Sequence, residues 1–459
     1  MSLKTEKQSV GMNLTEGNIL QQLVLFVLPL LLANFLQQMY NIVDAVVIGQ
    51  FVGSHGTVGV STGGEVPTLL TFAATSFGSA AQIYVAQLYG AGKYKSISET
   101  IGTILSFMFL MSIVMAGMCI SCCDLFLLWQ NCPTEALPQA RNYLTVVSLG
   151  MPFVFGYNAI CGILRGMGES KRPLLFVTVA AVSNIVMDIL FVAIIPLEAA
   201  GTAIATVAAQ MASFIAAAIF LYRKKEQFDL EFSLHGLAIK KEHFLILLKL
   251  GLPLTASSTF IHFSQLLCNS HINNFGLVAS ATNSIGSNVH KLLHIFTASV
   301  NGGAGAMVGQ NLGAKKYDRV KKIVYTSMGL AAIFAVFSGV VALFLPRQVY
   351  SLFTKDPAVM EFGVTFMRIC MIAIILSPFQ GSFGTVVTAS GNVWLGFMNG
   401  LLDGMVLRLG IGFCLAYIFD MGVVGFFYGN NLARLAPVIM SGIYFYSGKW
   451  KNRSLVERK

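Results

Sequence analysis

Long apolar segments dominate this chain of 459 residues. A backbone in lipid must satisfy its own polar groups, and about 20 apolar residues cross the hydrocarbon core as a helix. The first half has six such segments, near residues 20–47, 57–86, 100–121, 142–164, 174–196 and 200–222. The second half has six more, near 244–272, 278–310, 323–345, 362–388, 394–418 and 421–447. The pattern predicts an all-α integral membrane protein with twelve transmembrane helices.

The composition supports this class. Charged residues make up 11% of the chain, against about a quarter in a soluble domain, and hydrophobic residues make up 55%. The net charge of +10 does not indicate a nucleic-acid partner, because the basic residues lie in short turns between apolar segments. We expect the lipid bilayer and a small-molecule substrate as partners, no nucleic acid, and a monomer.

The second half of the chain repeats the first. Residues 86–94 reappear 223 residues later as 309–317, and each copy ends a long apolar segment before a basic turn. Since each half has an even number of spans, the repeat is parallel, and we expect two six-helix lobes related by a pseudo-two-fold axis along the membrane normal, with a cavity between them. The predicted parts are a cytosolic tail 1–18, an N-lobe 19–222, a cytosolic linker 223–243, a C-lobe 244–447 and a cytosolic tail 448–459.

Basic residues fix the orientation. If both ends are cytosolic, 22 Lys and Arg residues lie on the inner side and only Arg141, Arg347 and Lys355 on the outer side. Positive residues prefer the cytosolic side. We therefore predict a multi-pass protein of the plasma membrane with both termini in the cytosol.

Acidic and amide side chains interrupt three spans of the first half. Span 1 has a polar stripe on one helical face, at Asn34, Gln37, Gln38, Asn41 and Asp44, with Tyr40 one turn before Asp44. Span 5 has Asn184 and Asp188 at i and i+4, and span 6 has Thr202 and Thr206. A charged residue near the middle of a span normally faces a water-filled or protein-lined cavity. Gln37 and Asn41 are therefore candidates for lining a substrate cavity.

Asp44 and Asp188 are the candidate coupling groups. Two carboxylates in a sparingly hydrated pocket repel each other and lose solvation, and a proton or a small cation would relieve both effects. The alternative is that both acids are structural and hydrogen-bonded to neighbouring amides and hydroxyls.

At these residues the chain resembles the multidrug and toxic compound extrusion (MATE) family, over about residues 15–447. The matching features are Pro29, the Tyr40–Asp44 segment, the two Gln-x-x-Gly-Ala turns, the turn at 165–168, the Asn184 and Asp188 pair, and Ile204-Ala205-Thr206. The resemblance implies twelve helices in two lobes that export organic cations in exchange for protons or sodium.

In the subgroup with an acidic N-terminal lobe, the resemblance implies a cation site made of Asp44, Asp188, Asn184 and Thr206, with Tyr40 and Asn158 as neighbours. It also implies that Pro29 allows span 1 to bend, which agrees with the loss of a backbone donor at proline. The alternative is a proline in the first turn of the helix.

The second half lacks these acids. Aligned on the repeat, Asp44 falls opposite Cys268 and Asp188 opposite Ile411. Asp403, Arg408 and Arg434 lie in the last two spans instead. They either pair or reach the membrane surface, or they form a charged wall that recognises an anionic part of a substrate.

Polar residues of spans 7 and 8 complete the cavity candidates: His262, Gln265, His290 and His294. His290 and His294 are an i, i+4 pair with the spacing of metal ligands, but we favour a cavity lining and expect no metal. A pH-sensing role is an alternative.

These patterns favour a secondary efflux antiporter that works by alternating access, with H⁺ or Na⁺ as coupling ion and no other cofactor. The alternative is a flippase for a lipid-linked or amphipathic anionic substrate. An enzyme is disfavoured, since the sequence has no nucleophile with a base, no metal motif and no nucleotide-binding motif.

Overall fold

A computed structural model of the protein describes residues 11–195, 197–228 and 236–456. Helices make up almost all of this part of the chain, and it contains no strand. The predicted all-α class is thereby confirmed. Parts of the predicted tails and linker lie outside the described residues, namely 1–10, 229–235 and 457–459, as does residue 196 at the predicted end of span 5.

The described chain contains seventeen α-helices. Those of the first half are α1 (Ile19–Phe51), α2 (Gly53–Gly90), α3 (Tyr94–Ser121), α4 (Cys123–Trp129), α5 (Leu137–Leu149), α6 (Met151–Gly166), α7 (Lys171–Asp188) and α8 (Glu198–Arg223). Those of the second half are α9 (Lys241–Asn273), α10 (Leu277–Gly313), α11 (Tyr317–Phe344), α12 (Pro346–Ser351), α13 (Pro357–Ala389), α14 (Val393–Leu401), α15 (Arg408–Phe413), α16 (Val423–Leu432) and α17 (Leu435–Tyr446).

Three π-helical segments extend these helices. One, Ile189–Ile194, continues α7, while Leu402–Leu407 joins α14 to α15 and Cys414–Ile418 follows α15. The π-helix closes i to i+5 hydrogen bonds, so it shifts the side chains that follow it around the helix axis.

Nine helical segments in the described range are long and apolar enough to cross a membrane, and the bent pair α5 and α6 would make a tenth. The helix α10 is not in this set, because it is rich in glycine, serine and asparagine, and α16 and α17 are each too short. A multi-span membrane protein is therefore established. The count of twelve spans and the pseudo-two-fold axis stay predictions.

Span 4 differs from the expected single helix. It is bent by 45° between α5 and α6, at Gly150. Pro152 lies in the first turn of α6, and a proline ring clashes with the carbonyl group four residues earlier. The bend follows from this clash.

The chain divides into two compact units. The N-terminal unit is Leu28–Leu252 with the described residues up to Asn13, and the C-terminal unit is Leu14–Val27 with the chain from Pro253 onward. Two of the three divisions fall inside a helix and beside an interior proline, Pro29 in α1 and Pro253 in α9. These two prolines occupy equivalent places in the repeat.

The second copy of the repeated turn has a visible structural role within the C-terminal unit. The backbone N–H of Leu14 donates to Gln310 Oε1 at 3.0 Å, and the amide of Asn311 donates to the Leu14 carbonyl oxygen at 3.0 Å. Lys316 Nζ donates to the Thr15 carbonyl oxygen at 3.0 Å. The turn at the end of α10 therefore holds the segment that leads into α1.

Candidate functional site

Two acids meet inside the N-terminal unit. Asp44 lies on α1, and Asp188 is the last residue of α7, where the π-helical segment begins. The Asp44 carboxyl group lies within interaction distance of the Asp188 carboxyl group and of the Asn184 amide. Asp188 is 0% exposed and Asn184 is 1% exposed. We call Asp44 and Asp188 the acid pair.

The polar atoms around the acid pair are buried without hydrogen-bond partners among the described residues. They are Asp44 Oδ1, both carboxylate oxygens of Asp188 and both amide atoms of Asn184. The hydroxyls of Thr202 and Thr206, on the helix that packs against α7, are likewise buried without a partner in the described chain. An unsatisfied buried polar group costs roughly 1–3 kcal/mol, and more if it is charged. Unpartnered buried polar groups are uncommon in folded proteins, so this concentration marks a site rather than a region of ordinary packing.

The helices α7 and α8, which carry several of these groups, are neighbours in the N-terminal unit. Helices α7 and α8 pack against each other, and the Ser213 hydroxyl donates to the Phe176 carbonyl oxygen at 2.9 Å between them. Thr202 and Thr206 are one turn apart on α8 and therefore share a face.

Two tyrosines and two glutamines adjoin the acid pair. The side chains of Gln37 and Gln210 lie within hydrogen-bonding reach of Tyr40, and Tyr143 lies close enough to both carboxyl groups to interact with their charge. The sequence interpretation missed Tyr143 and Gln210. Gln210 is one turn beyond Thr206 on α8, which was a usable signal, whereas nothing in the spacing singled out Tyr143.

Other predicted residues of the first half lie less centrally. The Asn158 amide donates to the Val154 carbonyl oxygen of its own helix at 2.8 Å, and its described contacts include neither acid. Gln37 and Asn41 are exposed side chains of α1. Pro29 is buried in the interior of α1, well beyond its first turn.

A buried ion pair lies in the C-terminal unit. Arg408 Nη2 donates to Asp403 Oδ1 at 3.0 Å, and both residues are 5% exposed. The two residues are five apart, and the π-helical turn between α14 and α15 brings them to one side of the helix. Gln380 Nε2 also donates to Asp403, at 3.4 Å. Arg408 therefore pairs with Asp403 and not with Arg434.

A cavity of about 140 Å³ adjoins this pair. Its lining includes the predicted residues Gln265, His290, Arg408 and Arg434. His262 and His294 are not among the described lining residues, although the His294 ring lies 6.1 Å from the His290 ring. The sequence interpretation missed other lining residues, notably Lys291, Asn269, Asn430 and Asn431. The two adjacent asparagines in an apolar span, one turn before Arg434, were a usable signal.

Comparison with known proteins gives the class of the chain. The MatE family model matches residues 29–190 and 253–418, which include both acids of the pair and both repeats. The chain therefore belongs to the MatE family.

Three similar proteins agree with this assignment. The chain is 25% identical to a probable multidrug resistance protein, YoeA, of Bacillus subtilis, over 99% of this chain and 97% of the relative. It is 21% identical to the multidrug export protein MepA of Staphylococcus aureus, over 83% and 84% of the two chains. A solved outward-facing structure of a multidrug resistance MATE transporter of the MOP superfamily superposes with a TM-score of 0.89, at 18% identity over 96% of this chain and 99% of that one.

These proteins are membrane transporters, and the family resemblance drawn from the sequence is confirmed. The chain is a multi-pass membrane protein of the MatE family. The comparisons do not favour the alternative of a flippase.

Proposed function

We propose that the protein is a secondary antiporter that exports amphipathic or cationic small molecules in exchange for protons or sodium ions. The acid pair carries this proposal. Two carboxyl groups on different helices approach each other and the Asn184 amide, and their buried oxygens have no hydrogen-bond partner among the described residues.

The chemistry of the acid pair suits a small cation. Ionised carboxylates only accept hydrogen bonds, so two of them facing each other repel and cannot bond. One proton shared between them gives a strong charge-assisted hydrogen bond. A sodium ion is an alternative guest, because carboxylate, amide and hydroxyl oxygens are the ligands that hard cations prefer.

Occupation of the acid pair would then bias the conformation of α1. Asp44 lies on this helix, and Pro29 removes one of its backbone hydrogen bonds, which makes bending easier there. An ion that binds one bend of α1 more tightly than another shifts the population toward that state. Alternating access to the two sides of the membrane follows if drug and ion favour opposite states.

The remaining features of the proposal follow from the sequence. Positive residues on one side of the spans support a plasma-membrane protein with both termini in the cytosol. The transporter would act as a monomer, and the coupling ion would be its only cofactor.

A reconstituted system tests the proposal. Purified protein in liposomes is given an imposed proton gradient or an imposed sodium gradient, and movement of a fluorescent organic cation is followed. We expect one gradient to drive transport by the wild type, and we expect Asp44→Asn and Asp188→Asn each to reduce it to the level of empty liposomes.

Asp318→Asn is the matched control, since it makes the same chemical change at an exposed position of α11, in the C-terminal unit. It should transport like the wild type. Full gradient-driven transport by both acid-pair variants, in correctly folded protein, would refute the proposal.

A further inference from the structure

The cavity of the C-terminal unit is lined by positive groups. Its lining includes Lys291, Arg408 and Arg434, and no carboxylate is present among its described lining residues. A cavity of this kind attracts anions, because buried positive charges without counter-charges are costly. We call it the cationic cavity.

The positive groups are not equally available. Asp403 neutralises Arg408 through the buried ion pair, so the charge of Arg408 is already compensated. Arg434, at the break between α16 and α17, has a different partner, since its Nη2 lies 3.0 Å from His290 Nε2. No carboxylate within ion-pair distance of Arg434 is found among the described residues. Its charge is therefore open to an anionic guest.

His290 supplies a second donor. A guanidinium only donates hydrogen bonds, so His290 Nε2 must accept from Arg434, and the proton of the neutral ring must be on Nδ1. His290 Nδ1 is buried and has no hydrogen-bond partner within the described chain. A buried N–H donor without an acceptor therefore adjoins an arginine that lacks a counter-charge.

Amide groups add to this polarity. Asn269 accepts a hydrogen bond from Asn283 through its oxygen, at 2.8 Å, which leaves the Asn269 NH₂ group for a guest. Asn430 Oδ1 is buried without a partner in the described region, and a half-turn of its amide would present NH₂ in its place. Each of these groups can donate to an oxyanion.

Size and the apolar walls limit the guest. The cavity measures about 140 Å³, and a cavity of about 150 Å³ holds a benzene ring. Phe366 and Phe427 lie in its wall as an edge-to-face pair with ring centroids 4.8 Å apart. The cavity therefore combines room for one aromatic ring with donors for one anionic group.

We propose that the cationic cavity binds the carboxylate of an aromatic organic molecule, with Arg434 as the principal contact, His290 and Lys291 as supporting donors, and Phe366 and Phe427 against the ring. The inference deepens the proposed efflux function, because it names a substrate class: drugs that carry a carboxylate as well as those that carry only positive charge. A role of the cationic cavity in export rests on the proposed function, whereas binding of the carboxylate at equilibrium needs no ion gradient.

A matched pair of dyes tests the inference at equilibrium. Rhodamine 110 carries a free benzoate, and rhodamine 123 is its methyl ester, so the two differ in the carboxylate alone. Binding to purified protein is measured by fluorescence polarisation without any ion gradient. We expect Arg434→Gln to raise the Kd of rhodamine 110 by about tenfold to a hundredfold, because a charge-assisted hydrogen bond is lost. The Kd of rhodamine 123 should stay within about twofold of its wild-type value.

Two further variants at exposed positions separate loss of binding from misfolding. Lys291 is exposed, so Lys291→Gln should preserve the fold and weaken rhodamine 110 by about threefold, as expected for an exposed charge. Arg368→Gln removes an exposed arginine of α13 that is not a described lining residue, and it should change neither dye.

Equal affinity of the wild type, Arg434→Gln and Lys291→Gln for rhodamine 110 would overturn the inference. An equal loss of affinity for both dyes in Arg434→Gln would also overturn it. Failure of the proposed antiport would appear differently. In that case the liposome experiment shows no gradient-driven transport, while the difference between the two dyes at equilibrium persists.

Discussion

Both halves of the chain place a buried acid at a π-helical segment, but the two acids have partners of opposite charge. In the first half α7 ends at Asp188 and continues as a π-helical segment, and in the second half π-helical segments precede and follow α15. In the first half, Asp188 lies next to Asp44, which is another acid. In the second half, Asp403 forms an ion pair with Arg408, a residue of opposite charge.

This difference separates a candidate ion-binding site from a pair that is already satisfied. The acid pair consists of like charges whose buried oxygens have no hydrogen-bond partner in the described residues, so binding of a cation would stabilise it. The Asp403–Arg408 pair is already neutralised and hydrogen-bonded, so it needs no guest. The π-helical turn that joins Asp403 to Arg408, Leu402–Leu407, has no counterpart in the first half, where the matching residues belong to α7. The two halves therefore differ in helix geometry as well as in charge.

The largest stability effect we predict is at the ion pair. Asp403→Asn leaves Arg408 buried without a counter-charge, and breaking a buried pair in this way costs about 3–5 kcal/mol. Asp188→Asn makes the same chemical change but removes a like-charge repulsion, so we expect its free energy of unfolding to equal or exceed that of the wild type. Unfolding titrations of the two variants in mixed micelles give the comparison, and a similar loss in both would contradict it.

Much of the fold was predictable, because a membrane leaves few choices. Apolar segments of about 20 residues specify helices, and both bounds of α8 lie within two residues of the expected span. Helices α3 and α11 end within one residue of the expected spans but begin six residues earlier. The repeat of the Gln-x-x-Gly-Ala turn correctly indicated that α2 and α10 end in equivalent ways. The bend at Gly150 was missed, although Pro152 beside it gave a signal.

The sites were predictable only in part. Asp188 and Asn184 could be named from their helical spacing and their cost in lipid, and Arg434 from its charge within an apolar span. Partners could not be named, because they come from other helices. The pairing of Arg408 with Asp403 depends on a π-helical turn, and the contact of Arg434 with His290 joins residues 144 apart in the chain.

Pro29 and Pro253, which are equivalent in the repeat, sharpen the comparison further. Pro29→Ala should stiffen α1, since alanine restores the backbone donor and favours a helix by about 3 kcal/mol. We expect ion-driven transport to fall severalfold, because α1 carries Asp44. Pro253→Ala makes the same change in α9, where the repeat has Cys268 in the place of the acid. It should reduce transport less, and a ranking in the opposite order in the liposome assay would show that α9 and not α1 limits the cycle.

The smallest predicted effect concerns the repeated turn itself. Gly92 and Lys315 are equivalent in the repeat, and both have left-handed backbone conformations, with φ of 70° and 56°. Gly92→Ala should destabilise the protein by about 1 kcal/mol from backbone strain alone, because no atom lies within 4 Å of the added Cβ. Lys315→Gly removes such strain but frees the unfolded chain, which costs about 0.4–1 kcal/mol, so its net effect should stay within about 0.5 kcal/mol. Unfolding titrations check both values. If Lys315→Gly stabilises the protein by as much as Gly92→Ala destabilises it, our expectation of a small net effect at Lys315 is wrong.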